Sequence, residues 1–389
     1  MTTQSLIRPG LPAVDYYAPN FRIDVEGREI DQTTKGDILQ VKVTMELEAL
    51  TDFELTVNNW DDQQLFFKYS DTDTFDVGRN VLVQMGYADE LLPMVSGMVT
   101  TLTPQFPDSG APTLSVRGAD RLFCLKDSKP PEGESLIYTE MADWQIAEIV
   151  AQRNGLATEL TREGPTRELV MQNKDQDDAQ FLIERAGFVD FDVYVKTDVN
   201  GQEKLHFCEP TDGRNGRPVN VYRFIWGQNL ISFSPTLTLS GQVSELTVRG
   251  WDPETKSAIV GTATQDDVPD PGTGGLSGPA SIGACLGDVG GRQEFVVDVP
   301  VENEEDARQL AISLLRQRAY EFMTGVGSVI GIPDLRPGDN VQLEGLGTRF
   351  SGTWYVRKVT HTIGENGYRT QFEVRRTHVP EPEAGGPTP

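Results

Sequence analysis

Alternation of apolar and polar residues is the strongest pattern in the first third of the chain. In "LQVKVTMEL", apolar residues from Leu39 to Leu47 occupy every second position, a period that is typical of a β-strand with one buried face. The segments "FRIDVEG", "DFELTVNNW", "NVLVQMG", "MVTTLTPQF" and "TLSVRG" have a similar pattern. They predict a compact antiparallel β-barrel over residues 20–127, after an N-terminal extension of residues 1–19.

The pattern changes to a helical period after the Pro- and Gly-rich segment "KDSKPPEGES". "ADWQIAEIVAQRNG" has apolar residues at helical spacing and a stop at Gly155, and "DQDDAQFLIERAG" is acidic in its first turn and has a stop at Gly187. The strand patterns "VDFDVYV" and "KLHFCEP" follow. We therefore predict an intervening α+β domain over residues 128–235.

The last third returns to strand patterns around one long helix. Residues 262–293 are rich in Gly and Pro and predict a surface loop. An apolar stripe over 304–322 predicts a helix, with Asn303 as its N-cap. Strand patterns in "DNVQLEG", "TWYVRKVTHTI" and "YRTQFEVRRT" follow. They predict a second β-barrel over residues 236–378, and residues 379–389 are expected to be a flexible tail.

The two predicted barrels share a short sequence signature. Gly78-x-Asn80-Val81 returns as Gly338-x-Asn340-Val341, and each copy is followed by Ser-Gly, at Gly97 and Gly352. If the barrels are related, Val81 should superimpose on Val341, and Gly97 should lie near Gly352. The alternative is that two unrelated barrels share turn glycines and Val-rich strands. Three chains with two related barrels each could form a ring with threefold and approximate sixfold symmetry.

Composition limits the partners that this chain could bind. The 389 residues include 34 Lys and Arg against 59 Asp and Glu, a net charge of −25, which argues against direct nucleic-acid binding. This charge could serve solubility or line an acidic channel, and the sequence leaves both open. No apolar run approaches the roughly 18 residues of a membrane-spanning segment, and the N-terminus lacks a signal-peptide pattern. Three cysteines without a CxxC pair favour a reducing compartment.

Candidate catalytic and metal motifs are weak. The Lys256-Ser257 pair lacks the glycine that a P-loop places before its lysine, so it predicts a strand turn. His206 and Cys208 share a strand face, but zinc needs more ligands and no second pair is present. No Ser-His-Asp set or G-x-S-x-G motif is recognisable. The sequence therefore predicts no catalytic residues, no metal site and no cofactor, although a carboxylate dyad of the glycosidase type stays open.

Residues 333–376, "PDLRPGDNVQLEGLGTRFSGTWYVRKVTHTIGENGYRTQFEVRR", resemble the C-terminal signature of the phage late control D family. These are baseplate hub proteins of contractile tails, similar to the N-terminal hub part of VgrG spike proteins. "FELTVNNWD", "LSVRGADRLFCL", "DDAQFLIERAGF" and "LTVRGWDPETKSAIVG" extend the resemblance over residues 20–378. On this resemblance and the repeat, the structural signature comprises Gly78, Val81, Gly97, Pro337, Gly338, Val341, Gly352, Tyr355 and His361.

The resemblance implies two tube-like β-barrels per chain, a homotrimer, and a place between the inner tube and the spike. No spike-like repeats follow "FEVRRTHVP", so the spike is expected to be a separate partner, beside the inner tube protein and other baseplate proteins. The expected role is structural rather than enzymatic, in a particle assembled in the cytoplasm. A cell-wall hydrolase carried by such a machine and a free carbohydrate-binding β-rich adhesin remain alternatives.

Overall fold

One sheet of 14 strands joins the first and last thirds of the chain. The computed structural model describes residues 6–9, 18–88, 90–130, 135–198, 200–213, 219–252, 255–272, 274–286, 291–297, 299 and 301–381. Strands make up 48% of it and helices 20%. The predicted class is confirmed: the protein is α+β and mainly β, with two related barrels and an α+β domain between them. Most of the N-terminal extension and of the C-terminal tail lie outside the described residues.

The first barrel forms from the strands that the alternating segments predict. Its strands follow the order β4-β5-β10-β9-β8-β2, and each pairs antiparallel with its neighbours. Alternate side chains point inward, and Phe53, Leu55 and Val83 are fully or almost fully buried in its core. The elements are β1 (Leu6–Pro9), β2 (Pro19–Val25), β3 (Arg28–Glu29), α1 (Gln32–Asp37), β4 (Ile38–Glu46), β5 (Asp52–Asn58), β6 (Trp60–Asp61), β7 (Phe66–Phe67), β8 (Asn80–Tyr87), β9 (Glu90–Gln105), β10 (Thr113–Ala119) and α2 (Leu122–Asp127).

The middle of the chain contains both predicted helices and a separate core. The second helix begins after Asp177, whose side chain accepts from Gln180 N at 2.8 Å. It continues past the predicted stop at Gly187 and ends at Asp190, which has a left-handed conformation with φ 57°. The elements are β11 (Leu136–Ala142), α3 (Asp143–Arg153), β12 (Ala157–Leu160), β13 (Thr166–Gln172), α4 (Asp178–Val189), β14 (Asp192–Thr197) and β15 (Glu203–Cys208).

The last third contains the strands of the second barrel and an α+β insertion. The elements are β16 (Asn220–Ile225), β17 (Leu230–Leu237), β18 (Glu245–Asp252), β19 (Ser257–Thr264), β20 (Leu276–Ser277), α5 (Gly278–Leu286), β21 (Gln293–Val296), α6 (Glu304–Tyr320), β22 (Met323–Ile330), β23 (Asn340–Glu344), α7 (Gly347–Phe350), β24 (Gly352–Gly364), β25 (Gly367–Arg376) and β26 (His378–Val379), with a short 3₁₀ helix at Gln265–Asp267.

Two strands from the predicted middle domain belong to the sheet of the second barrel. β16 pairs parallel with β23, and β17 pairs antiparallel with β22. The predicted boundary at residue 235 therefore separates these strands from their sheet. The error has a physical reason: alternation predicts a strand but does not identify its partner, which here lies about a hundred residues further along the chain.

The predicted surface loop over 262–293 is only partly a loop. Its described part contains the end of β19, a 3₁₀ turn, β20 and the helix α5. Pro279 occupies the first turn of α5, where the missing backbone N–H costs little. Residues 273 and 287–290 of this segment lie outside the described residues.

The long helix α6 packs on a three-stranded sheet with its own core. β18 pairs with β19 and β21, and Leu310, Ala311 and Leu315 of α6 are buried against this sheet. The predicted N-cap is confirmed, because Asn303 accepts from Asp306 N at 2.9 Å. This unit is inserted between β17 and β22 of the second barrel.

We predict that Gly261→Ala destabilises this unit, because α6 crosses β19 at Gly261. A Cβ atom there would lie 2.1 Å from the backbone nitrogen of Arg308. Backbone has to shift to relieve this overlap, so we expect a loss of at least about 2 kcal/mol of stability, measured as a lower melting temperature of the full chain. Gly36→Ala in α1 is the control: a Cβ meets nothing within 4 Å there, and alanine favours the helix by about 1 kcal/mol. A Gly261→Ala variant that melts with the parent protein would contradict the packing.

Candidate assembly interface

Gly78 and Gly338 form the same turn in the two barrels. Both have φ +88°, a conformation that glycine adopts far more readily than other residues. Gly78 N donates to Val99 O at 2.8 Å, and Val99 N donates back to Arg79 O at 2.9 Å. In the second barrel Gly338 N donates to Val356 O, and Val356 N donates back to Asp339 O, each at 2.9 Å. The repeated sequence signature therefore corresponds to a repeated local structure.

The strand register aligns Val81 with Val341 but separates the two Ser-Gly pairs. Val81 lies opposite Gly97, whereas Val341 lies opposite Trp354. The prediction that Gly97 lies near Gly352 is therefore wrong by two positions. Each glycine has its own local cause: a Cβ at Gly97 would lie 2.2 Å from Ala119 O, and Gly352 has φ +114°. The shared Ser-Gly dipeptides are a coincidence of sequence.

Two β-bulges repeat at equivalent places in the two barrels. On β9 and β24 the register shifts just after the residue that bonds to the Gly78 or Gly338 turn, and Thr100 and Arg357 are the extra residues. On β4 and β17 the register shifts at the start of the strand, where Leu39 and Ile231 are the extra residues. Bulges bend a strand at a defined point and are specific features of a fold. The order β4-β5-β10-β9-β8 thus corresponds to β17-β22-β25-β24-β23. The first barrel has a further bulge at Met94 on β9, and the pairing of β23 with β24 has none.

The two barrels are joined by pairing β4 with the second half of β24. Met45 lies opposite Val359, Val43 opposite His361 and Val41 opposite Ile363. Lys358 Nζ lies 3.0 Å from a carboxylate oxygen of Glu46. The apolar residues on this joint are buried, and Ile363 is only 8% exposed. This joint makes the two barrels one continuous sheet.

The strands equivalent to β4 and to the second half of β24 are β17 and the end of β9. In a single chain, the outer edges of β17 and of the end of β9 have no strand partner in the part that the structure describes. Within the described residues, β17 pairs only with β22, and β9 beyond Val99 pairs only with β10. Phe106, which corresponds to the buried Ile363, is 61% exposed. Unpaired strand edges with exposed apolar side chains are templates for pairing with another chain. The chain therefore offers two open edges that match the two edges joined inside it.

His361 lies at the centre of the joint, opposite Val43 on β4, and is fully buried. Its Nε2 lies 3.1 Å from Leu335 O, and because this oxygen can only accept, Nε2 carries the proton. Nδ1 accepts from Tyr368 Oη at 3.0 Å and Thr370 Oγ1 at 3.1 Å. Burial, together with the nearby Arg336 charge, lowers the pKa of His361 well below its usual 6.5. The joint therefore needs a neutral histidine.

Pro337 and Asp339 lie where the second barrel meets the first. Pro337 is buried, and the preceding Arg336 donates through Nη2 to Pro93 O on β9 at 3.1 Å. Burial raises the pKa of the Asp339 carboxyl to about 6, and this carboxyl accepts from Arg336 N at 2.8 Å. A further bond from Tyr87 Oη to Gly331 O at 2.8 Å joins the barrels.

Tyr355 attaches the middle domain to the joint. Its hydroxyl donates to Asp192 at the start of β14, and burial raises the pKa of this hydroxyl well above its usual value. Arg375 lies over the rings of Tyr320 and Tyr355 at 4.1 and 5.4 Å. Sequence reasoning missed Asp192, Arg375 and Tyr320, since no motif relates residues on four separate elements.

The sequence did contain a signal for the open edges. "ILQVKVTME" of β4 and "LISFSPTLT" of β17 share their order of apolar positions, although Pro235 interrupts the second copy. The residues of β9 and β24 also align once the Gly78 and Gly338 turns are used as the anchor instead of the Ser-Gly pairs.

His206 and Cys208, the pair considered as possible metal ligands, make structural contacts instead. His206 stacks on Tyr194 with ring centres 4.7 Å apart, and burial lowers the His206 pKa to about 4. Cys208 Sγ donates to Glu159 O at 3.2 Å. The described residues contain no group of three or more His, Cys, Asp and Glu side chains that could hold a metal ion. Nor do they include a helix long and apolar enough to span a membrane.

We predict that His361 makes the stability of the chain depend on pH. Because the folded protein holds its pKa below the unfolded value of about 6.5, the unfolded state binds the extra proton. Stability from the neutral ring is present above pH 6.5 and is lost as the pH falls below it, by up to about 1.4 kcal/mol per pH unit. His361→Gln should be less stable at pH 7.5, and its disadvantage should shrink towards pH 5. Parallel pH profiles of the two proteins in denaturant titrations would contradict this assignment.

The chain resembles solved tail proteins along most of its length. The prophage MuSo2 43 kDa tail protein from Shewanella oneidensis is 18% identical with a TM-score of 0.65, over 92% of this chain and 99% of that one. The tail protein from Neisseria meningitidis MC58 is 14% identical with a TM-score of 0.64, over 92% and 97%. The E. coli c3393 protein, described as a type VI secretion system component similar to the T4 tail proteins gp27 and gp5, is 14% identical with a TM-score of 0.55, over 94% and 79%.

These likenesses show the fold, which is the hub-like fold that the resemblance to baseplate proteins implied. No curated protein matches the sequence. A family model does match, that of the Alg8 N-terminal domain, over residues 17–365. This match covers most of the chain, which therefore belongs to the Alg8 N-terminal domain family.

Proposed function

We propose that this chain is a structural baseplate hub of a contractile injection machine, either a phage tail or a tail-like particle. Three copies form a ring that adapts a hexameric inner tube to a trimeric spike and lines the channel between them. One observation carries the proposal: the chain contains the same set of strands twice, joined edge to edge, with the matching edges open. The likeness to tail proteins supports it, as does the resemblance to the late control D family.

The internal joint gives the geometry of the contact between chains. If β17 of one chain adds to β9 of the next as β4 adds to β24, then Thr236 lies opposite Thr103 and Phe233 lies opposite Phe106. Such a head-to-tail contact forms a ring when its rotation closes. With two barrels in each chain, a ring of three chains presents six similar positions, which match the subunits of a hexameric tube.

At one position the two open edges lack the backbone donors that the internal joint has. Leu47 N donates to Arg357 O at 3.0 Å, and because bonding direction alternates along an antiparallel strand, Val43 and His361 face each other across hydrogen bonds. Pro235 and Pro104 occupy the equivalent places, and proline has no N–H to donate. The contact between chains therefore has a gap at its centre and is weaker than the internal joint. This difference suits a ring that assembles from separately folded chains.

The apolar surface on these edges favours the same pairing. Phe106, the residue after β9, packs in an aromatic cluster, with its ring centre 5.1 Å from that of Phe67, yet it is 61% exposed. Burying such a side chain contributes roughly 1.5–3 kcal/mol. Phe233 of an adjoining chain, at the position equivalent to Val41, would cover it as Val41 covers Ile363.

The remaining partners of the proposed hub follow from its place in the particle. They are the inner tube protein above the ring, a separate spike protein below it and other baseplate proteins around it. The ring would assemble in the cytoplasm and act mechanically, with no catalytic step. Its surplus of 25 negative charges is compatible with a channel whose wall repels acidic cargo.

We predict that cysteines at Thr103 and Thr236 link neighbouring chains. These positions correspond to Thr360 and Thr44, which lie opposite each other in the internal joint as a pair without mutual hydrogen bonds. Cα atoms of such pairs lie about 4.5 Å apart, within the range of disulfides. With Cys124, Cys208 and Cys285 replaced by serine, mild oxidation should give a covalent trimer on a denaturing gel that reductant dissolves.

The matched control combines Thr103→Cys with Ser232→Cys, which lies four residues before Thr236 on β17, a displacement of about 13 Å. This pair should stay uncrosslinked. A trimer of native mass in which Thr103 and Thr236 do not link would place the contact on other edges. A chain that stays monomeric at every concentration and inside the particle would contradict the ring itself.

A further inference from the structure

A small sheet in the middle domain exposes a row of apolar side chains. β11 and β13 form a two-stranded sheet, and its inner face packs on α4, with Tyr138 stacked 5.8 Å from Phe181. Ile137, Leu169 and Met171 on the outer face are 60%, 54% and 50% exposed. Neither the proposed ring contact nor the joint between the barrels uses this face.

The outer edge of β13 is bonded by a side chain instead of a strand. Glu168 N and Leu169 N both donate to the carboxylate of Glu302, at 3.0 and 2.9 Å. Two successive N–H groups that meet one acceptor resemble a β-bulge, in which a carbonyl of the neighbouring strand accepts both. Glu302 therefore takes the place of a third strand.

A groove of about 920 Å³ lies along this edge, lined among others by Leu169, Met171, Phe181, Phe188 and Glu302. Its volume is near the upper end of the range of about 300–1,000 Å³ that ligand pockets span. The floor includes Arg167 and Arg185, and the Nη2 of each has no hydrogen-bond partner among the described residues. Both Nη2 atoms are buried, so the other lining residues determine what a docking segment would contact.

The charge of the groove selects its occupant. The buried cations are neutralised, because Arg167 and Arg185 lie 3.1 and 2.6 Å from oxygens of Asp143, and Arg167 also pairs with Asp306. The rim carboxylates remain in excess. The rim carboxylates are those of Glu140, Glu168, Glu184 and Glu302. In the described part of the chain, no Lys or Arg lies within 4 Å of these carboxylates to form an ion pair. The groove therefore has apolar side chains and neutralised ion pairs in its interior and negative charge at its rim.

We propose that this groove docks an extended segment of another protein, with Lys or Arg side chains towards the rim and apolar side chains towards Leu169 and Met171. The segment adds to the sheet as a third strand along β13 and displaces the Glu302 carboxylate. A second copy of this chain is disfavoured by its net charge of −25. The chain's own segments at 1–5, 10–17 and 382–389 contain no Lys or Arg, so they lack the matching charge.

The test measures fluorescence anisotropy of two labelled peptides, Lys-Val-Lys-Ile-Lys-Val-Lys and its counterpart with Glu in place of Lys, against the full-length chain. The basic peptide should bind and the acidic one should not. Leu169→Asp combined with Met171→Asp should weaken binding at least about tenfold. Simple charge attraction predicts the opposite, because both changes add negative charge. Val260→Asp, at a 43% exposed apolar position on another sheet, is the matched control and should leave the affinity unchanged.

A second pair of variants tests the displacement of Glu302. Glu302→Ala and Glu184→Ala each remove one rim charge, but only the first frees the two N–H groups of β13. The Glu302→Ala protein should therefore bind the basic peptide more tightly than the Glu184→Ala protein. Equal affinities, or an unchanged affinity in the Leu169→Asp and Met171→Asp protein, would overturn the proposal. This result is independent of the ring, because it is measured on the chain whatever its oligomeric state.

Discussion

Pairing between β4 and β24 is the contact on which the rest of the structure depends. It turns two barrels into one sheet, and the core of the first barrel includes Ile363 and Tyr368 from the second. A strand pairing between barrels differs from a side-chain interface, because it fixes both register and direction. The orientation of one barrel relative to the other is thus determined by the backbone. The same geometry applied between chains is the basis of the proposed ring.

The middle domain and the α6 unit are fastened to this sheet by buried charges. Arg375 on β25 lies between Asp192 of the middle domain and the aromatic rings of Tyr320 and Tyr355. Asp306 at the start of α6 pairs with Arg167 of β13. Breaking a buried pair leaves an uncompensated charge, which is costly. These contacts therefore hold the appended units in fixed positions against the barrels.

The sequence predicted strands and helices well where a single face is buried. β4, β5, β8, β10 and α6 follow from the period of their apolar residues alone. It failed where the answer depends on distant partners: β16 and β17 were assigned to the middle domain, and Gly97 was aligned with Gly352. The sequence did identify the repeated turn at Gly78 and Gly338, because a positive φ depends on the residue at that position and not on distant partners. For the open edges, the shared apolar order of β4 and β17 is present in the sequence, but the bulges at Leu39 and Ile231 are what place the two copies in register.

A cryo-EM reconstruction of the assembled particle would show directly whether the open strand edges pair between chains. We expect three copies of this chain in one ring, six barrels around the channel, and β17 of each copy beside β9 of the next. A reconstruction with another number of copies, or one in which β17 and the end of β9 face solvent, would contradict this expectation.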